Sequence, residues 1–239
     1  MASPARGPQH EPTLSRNTTV MLSPHVVSEP HILYLGTPVV LISTVNEDGT
    51  HNLAPMSSAF WLGWRGVLGL AADSQTTRNL LRTGECVLNL PSANEVSAVD
   101  RIARTTGRNP VSEFRQALGY VYEPDKFGRA GMTRVAADTV AASRALECPI
   151  QLEAVVAAVH GIGEDSDDLR GFIKLFEVRV QRVHVHPDLL MAGHANRIDP
   201  DKWSPLIMNF QKFYGLSAQV HPSRLAEIPE EAYEPLAKA

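Results

Sequence analysis

Apolar positions along this chain fall mostly into short runs with a period of two. The first strong run, residues 38–45, is rich in β-branched side chains and predicts a strand. It ends in Asn46-Glu47-Asp48-Gly49-Thr50, where Asp-Gly between two strand-like runs predicts a hairpin, because glycine takes the positive-φ position of the turn. The return run covers 51–60, and Pro55 inside it predicts a sheet edge or a bulge, since proline cannot donate to a ladder. Residues 66–72 read as a further strand. Residues 76–83 read as a short helix, with Asp73 or Ser74 at the N-cap and Gly84 just past the end, and 85–90 return to alternation.

Helical spacing follows over about 94–105 and 112–119, an excursion that packs over one side of the core. Two long strands come next, about 145–160 and 172–186, joined by the acidic turn 163–168. In the second, Phe176, Val178 and Val180 share one face, and Val183 and Val185 continue in the opposite phase. A period-two pattern that slips by one residue marks a β-bulge. Many strands, few helices and no regular strand–helix alternation predict a mostly-β barrel with helical insertions rather than a doubly wound sheet. Residues 1–25 lack any periodic apolar pattern and read as a flexible arm, 26–220 as the folded domain, and 221–239 as a C-terminal extension.

Composition narrows the classes. The 239 residues are 44% apolar and 20% charged, ordinary for one sizeable globular domain. The formal net charge of -4 argues against a nucleic-acid or anionic-membrane partner, which would call for a basic stripe. No stretch approaches a membrane span, and no apolar leader is visible. Cys86 and Cys148 lie far apart and outside any C-x-x-C pattern, so a reducing compartment fits and the expected location is cytoplasmic.

Two segments carry candidate chemistry. Asn52-Leu53-Ala54-Pro55-Met56-Ser57-Ser58 sets small residues directly after the hairpin. They admit a close approach of backbone to a ligand, and the two hydroxyls can bond anionic or carbonyl oxygens. The same run also suits a polar edge strand. Asp73-Ser74-Gln75-Thr76-Thr77-Arg78-Asn79 sits at a helix start, where free N–H groups and the helix dipole favour a phosphate. Ser and Thr at such a place also act as plain N-caps.

The order and spacing of these segments change the odds. The run from Pro38 to Thr44, the Asp48-Gly49 turn, Asn52-Leu53-Ala54-Pro55-Met56-Ser57 and Thr76-Thr77-Arg78-Asn79-Leu80 resemble the flavin-reductase-like family of FMN-binding split barrels. Thr83-Gly84-Glu85, Ala130-Gly131-Met132-Thr133, Ala145-Leu146-Glu147-Cys148, Ile198-Asp199-Pro200 and Phe213-Tyr214-Gly215-Leu216 extend the likeness over roughly 30 to 217. The resemblance implies a six-stranded Greek-key split β-barrel and a homodimer, with FMN in a groove lined by both subunits. It places Ser43 and Thr44 near the flavin ring. The backbone of Ala54, Pro55, Met56 and Ser57 falls along the ring's polar edge, with the Ser57 hydroxyl among the ligands. Asn52 joins the cofactor-binding residues, Thr76 falls on the phosphate-contacting threonine and Asn79 on the asparagine that follows it. The implied activity is an NAD(P)H:flavin reductase with NADH or NADPH as co-substrate, the hydride chemistry belonging to the flavin. An oxidoreductase acting on a small organic substrate and a non-catalytic flavin-binding protein stay open, and no catalytic side chain is identified. The chain departs from the family at Ser74-Gln75, where many relatives have a basic and an acidic residue, at Met56 in place of an aromatic, and at Trp61 and Trp64.

Other signals are weaker. His184 and His186 are two apart on a strand with His194 nearby, yet the third and fourth ligands of a zinc site are missing. Val183 and Val185 facing inward put both histidines on the surface, so no metal is expected. Cys86 and Cys148 read as core residues, since a reactive thiolate needs a base or a helix N-terminus. Residues 164–168 lack the spacing of a calcium loop and read as a solvated turn. Phe60, Trp61 and Trp64 suit stacking on a ligand or burial in a core or interface. No G-x-G-x-x-G fingerprint is present, so the nicotinamide preference stays open.

Overall fold

The computed structural model of the protein describes residues 25–233. The arm expected over 1–25 lies outside them except for His25, as do residues 234–239 of the C-terminal extension. By its internal contacts the chain divides into residues 1–32 and a large unit, 33–239, which holds every helix and strand described below.

The predicted opening is found closely. A short β1 (Leu35–Pro38) precedes β2 (Val40–Val45), the Asp48-Gly49 turn and β3 (His51–Met56). The return run does not continue as one strand. It breaks at Ser57-Ser58 and resumes as β4 (Ala59–Leu62), followed by β5 (Arg65–Ala71), α1 (Gln75–Thr83) and β6 (Glu85–Leu90). Ser74 caps α1 by accepting from the Thr77 N–H at 3.1 Å, and Gly84 ends it in the left-handed region at φ 69°.

The excursion contains α2 (Val96–Ile102), β7 (Thr105–Thr106), α3 (Glu113–Ala117), β8 (Val121–Tyr122) and α4 (Lys126–Ala130). Both expected helices are shorter than their patterns. The first begins with a 3-10 turn held by a Ser92–Glu95 capping box. The five-residue α4 was not expected; its sequence contains Gly128 and offers only Phe127 and Ala130 as buried apolar positions.

Two residue pairs, β9 (Arg134–Val135) and β10 (Arg144–Ala145), lead to β11 (Ile150–Ile162) and β12 (Ile173–Val185). The first long strand starts five residues later than its pattern. Cys148 N–H closes a turn onto Ala145 C=O at 3.1 Å, and Pro149 has no N–H to give a ladder. The expected bulge is real: Glu153 pairs with Arg182 and Ala154 with Val180, leaving Gln181 unmatched. A second bulge at Ala157 left no trace in the sequence, because the run from Ala154 to Val159 is apolar throughout and has no phase to lose. Near the C-terminus β13 (Ile207–Asn209) and β14 (Lys212–Tyr214) form a small sheet with β1.

Seven strands make one antiparallel sheet in the order β3-β2-β6-β11-β12-β5-β4, with β3 at its edge, where Pro55 costs no central ladder bond. The sheet thus has seven strands where six were expected. Ile42, Leu70, Leu88, Leu152, Phe176 and Val178 fill the interior. The opposite face of β2 and β3, through Leu41 and Leu53, packs under α2 and α4 against Val99, Ile102 and Phe127. Burial of each such side chain contributes roughly 1.5–3 kcal/mol. These two layers lock β2 and β3 in register, and this positions the cavity described next.

Candidate functional site

A cavity of about 550 Å3 lies between β3, β5, the start of α1 and the excursion. Asn52, Ala54, Pro55 and Met56 of β3 and the Ser57-Ser58 break form one side. Gly69, Leu70 and Ala71 of β5 form the second, and Ser74, Gln75 and Thr76 the third. The excursion closes the fourth with Ala103, Gly107, Arg115, Tyr120 and Lys126.

At the α1 end the chemistry is anion-seeking. Ser74 satisfies Thr77 N–H and leaves the Gln75 and Thr76 N–H groups without a cap. Asn52, 2% exposed, donates through Nδ2 to Thr76 Oγ1 at 3.1 Å. That bond orients the threonine hydroxyl with its own proton free to give. Asn52 Oδ1 is buried with no hydrogen-bond partner among the described residues. A Cβ added at Gly107 would stand 2.6 Å from it, so only a glycine fits beside this acceptor.

Six of the nine residues expected at the cofactor line the cavity: Asn52, Ala54, Pro55, Met56, Ser57 and Thr76. Thr44 and Asn79 stand behind them. Asn79 Nδ2 donates to Thr44 Oγ1 at 2.9 Å and Asn46 Oδ1 at 2.8 Å, while its Oδ1 accepts from Gln75 Nε2 at 2.9 Å. Ser43 is apart from the cavity. It lies on the other face of β2, where its hydroxyl donates to Ser143 C=O and accepts from Asn89 Nδ2 at 3.3 Å.

The sequence reading missed the fourth wall. Lys126 is 3% exposed, and its side chain makes no hydrogen bond or ion pair with another described residue. Burial above all, then the neighbouring Arg115 charge, pushes its pKa down to about 8, against the pull of Glu123. Arg115 reaches Asp73 at 3.4 Å and lies over the Tyr120 ring at 5.3 Å. The only sequence signal was a lysine between the N-cap Asp125 and the apolar Phe127.

Residues 33–217 match the model of the flavin reductase like domain. The chain belongs to that family. The likeness extends to an uncharacterised Bacillus subtilis protein, YdfE, at 37% identity over 193 residues, 80% of this chain and 89% of that one. Among solved structures, the fold matches flavoredoxin of Desulfovibrio vulgaris at a TM-score of 0.67 and 19% identity, covering 86% of this chain and 100% of the other. It also matches component B of nitrilotriacetate monooxygenase from Bacillus cereus, at 0.63 and 19%, covering 79% and 88%. The architecture is therefore a split β-barrel, and the protein is a flavin-related member of an oxidoreductase family.

Outside the cavity this family member carries one group of metal-type ligands among the described residues, Asp138, Glu153 and His184. The strand phase places His184 and His186 together on an open surface; the structure separates them. His186 is exposed and accepts from Asp188 N–H, while His184 turns to Glu153 at 2.7 Å beneath residues 137–140. Both Glu153 oxygens already accept from Asp138 and Thr139, so this group is a latch that holds the crossing segment. Cys86 and Cys148 are free and buried; burial pushes the Cys86 thiol up to about 12 and Cys148 higher still. Trp61 and Trp64 pack against the barrel core rather than lining the cavity.

Proposed function

We propose that the protein is an NAD(P)H:flavin reductase holding FMN in the cavity beside α1. Asn52 carries this reading. A buried acceptor left unmatched costs about 1–3 kcal/mol, and the hydroxyls of a ribityl chain are donors of the right kind. Gln75 and Thr76 N–H groups with the Thr76 hydroxyl take the phosphate, and exposed Arg78 adds charge at the rim. The backbone from Ala54 to Ser57 and the Ser57 hydroxyl hold the polar edge of the ring, facing the Lys126 charge. Thr44 and Asn79 are positioning residues for Asn52 and Gln75. When bound, the flavin supplies the hydride chemistry. Two buried free thiols support a reducing, cytoplasmic setting, and among the described residues no helix is long and apolar enough to cross a membrane.

The reading is tested by releasing the cofactor with heat and identifying it by chromatography, and by following NADH and NADPH oxidation with and without added FMN. FMN and flavin-stimulated oxidation are expected. Recovery of FAD alone contradicts the FMN assignment, and a yellow protein that oxidises neither nucleotide leaves a flavin carrier. Thr76→Ala separates the phosphate role from capping. A lost bond to a charged group costs roughly 1.5–3 kcal/mol, so FMN affinity drops about 10- to 150-fold while riboflavin affinity holds. Equal weakening of both ligands removes Thr76 from the phosphate.

We also propose a homodimer. Leu35 on β1 and Phe60 and Leu62 on the neighbouring β4 are 69%, 53% and 74% exposed, and β4 is an edge strand. A bare apolar edge is a liability that a twofold copy of the same patch covers. Light scattering should give twice the chain mass, and Leu62→Asp should give a monomer with impaired flavin binding. A native monomer that retains its flavin contradicts the shared groove.

A further inference from the structure

Past Asn52, Gln75 and Gly107 the cavity runs on into a second groove of about 370 Å3; these three residues line both. The β2–β3 turn lines it with Glu47 and Asp48, α1 with Arg78, and β8 with Tyr122. Each wall has spare capacity. Tyr122 is 43% exposed, while its segment is held in place by the β7–β8 pairing and by Glu123 N–H donating to Thr106 C=O at 2.9 Å. Its ring is thus presented on a fixed backbone. Arg78 donates its backbone N–H to Ser74 C=O at 3.1 Å, but the side chains of Arg78 and Glu47 make no hydrogen bond or ion pair with other described residues. Asp48 accepts from Thr50 N–H at 2.9 Å and from the Thr50 hydroxyl at 2.6 Å through Oδ1, leaving Oδ2 unengaged. These bonds hold its carboxyl below the usual range, so it is ionised at neutral pH.

A stacking face, two carboxylates and a cation within one groove match a nucleoside with phosphate on one side. We infer that this groove seats the adenosine half of the reductant, and that Glu47 and Asp48 select a free ribose 2′-hydroxyl, hence NADH over NADPH. The inference rests on the flavin reading of the adjoining cavity. With its nicotinamide over the flavin ring, a dinucleotide extended toward the phosphate end of that flavin would bring its adenosine to Arg78 and the groove, which adjoin the cavity at Asn52, Gln75 and Gly107. Carboxylates accept from ribose hydroxyls, as acidic residues do in other dinucleotide sites. The same two charges repel a 2′-phosphate. Arg78 neutralises the pyrophosphate, and the Tyr122 ring stacks on the base.

The test combines steady-state kinetics with NADH and NADPH and equilibrium titrations with FMN and FAD. Wild type should prefer NADH. Tyr122→Ala should raise the KM for NADH roughly 5- to 150-fold, the value of one base–aromatic stack, with FMN affinity unchanged. A second variant, Glu47→Gln with Asp48→Asn, keeps an Asn-Gly turn and should narrow the NADH-over-NADPH ratio of kcat/KM by about tenfold. If Tyr122→Ala weakens FAD relative to FMN and leaves the KM for NADH alone, the groove belongs to the tail of a flavin and the inference fails. Intact flavin binding with an unchanged KM, or a wild type that prefers NADPH, overturns it while sparing the flavin reading. A wild type that binds no flavin overturns both.

Discussion

Replacing Lys126 with methionine should make the apoprotein more stable and its flavin affinity weaker, two effects of opposite sign from one substitution. Lys126 is 3% exposed and lines the cavity, its ammonium without a partner among the described residues. Burial first, then Arg115, depresses its pKa from 10.5 to about 8. At pH 7 the group is charged in both the folded and the unfolded chain, so the fold carries the whole cost. That drop corresponds to about 3 kcal/mol. A depressed folded pKa means that the unfolded chain binds more protons between pH 8 and 10.5. Stability of the wild-type apoprotein therefore rises with pH across that window. Lys126→Met, of similar volume, should melt higher at pH 7 and show no such rise. On the proposed reading the same substitution also removes, among the described residues, the most deeply buried cation lining the cavity that would face the bound flavin. Truncating a buried charged partner costs about 2–5 kcal/mol, so FMN should bind roughly 30- to several thousand-fold more weakly. A less stable apoprotein, or unchanged FMN affinity, would falsify this account.

What the sequence made legible was local. Ser74 and Gly84 bracket α1 by rules that act within one turn, and the slip between Val180 and Val183 betrays the bulge because its neighbours alternate cleanly. Asn52 to Ser57 and Thr76 were recognisable since a hairpin and a helix start carry their own signatures. Ser43 and Thr44 show a limit of assignment by likeness. Adjacent strand residues face opposite sides, and only Thr44 joins the network behind the cavity. The excursion wall was hidden for another reason. It is drawn over the cavity by Asp73, which accepts from Arg108 at 3.3 Å, Arg115 at 3.4 Å and Ser112 at 3.2 Å. These ties join the start of α1 to residues some 40 positions away, and two-residue strands such as β7 and β8 show no periodicity. Gly107, Tyr122 and Lys126 reach the site only through such contacts.

Glu153→Ala should destabilise the protein by about 3–5 kcal/mol, the cost of stripping one partner from a buried charged network. The carboxylate is fully buried on β11 and accepts from Asp138 N–H at 2.9 Å, Thr139 N–H at 2.6 Å, the Thr139 hydroxyl at 2.5 Å and the His184 ring at 2.7 Å. Alanine leaves all of these donors facing a void. Burial alone pushes the carboxyl up, but bonds from Thr139, Asp138 and His184 together outweigh it and bring it to about 2. The folded pKa thus lies below the unfolded value of 4.5, so the stabilisation is complete above pH 4.5 and is lost as the pH falls toward 2. Acid titration of the wild type should lose stability across that window, and Glu153→Gln, which cannot titrate, should lose less there. A metal role for Asp138, Glu153 and His184 makes a different forecast, a fall in melting temperature on adding a chelator. No such fall is expected, because the lone pairs of Glu153 are already engaged by protein donors. A Glu153→Ala variant that melts with the wild type would show that the segment is held by its other ties, the packing of Val140 and Ala142 with Val87 and the Ala141 N–H donated to Glu85 at 2.8 Å.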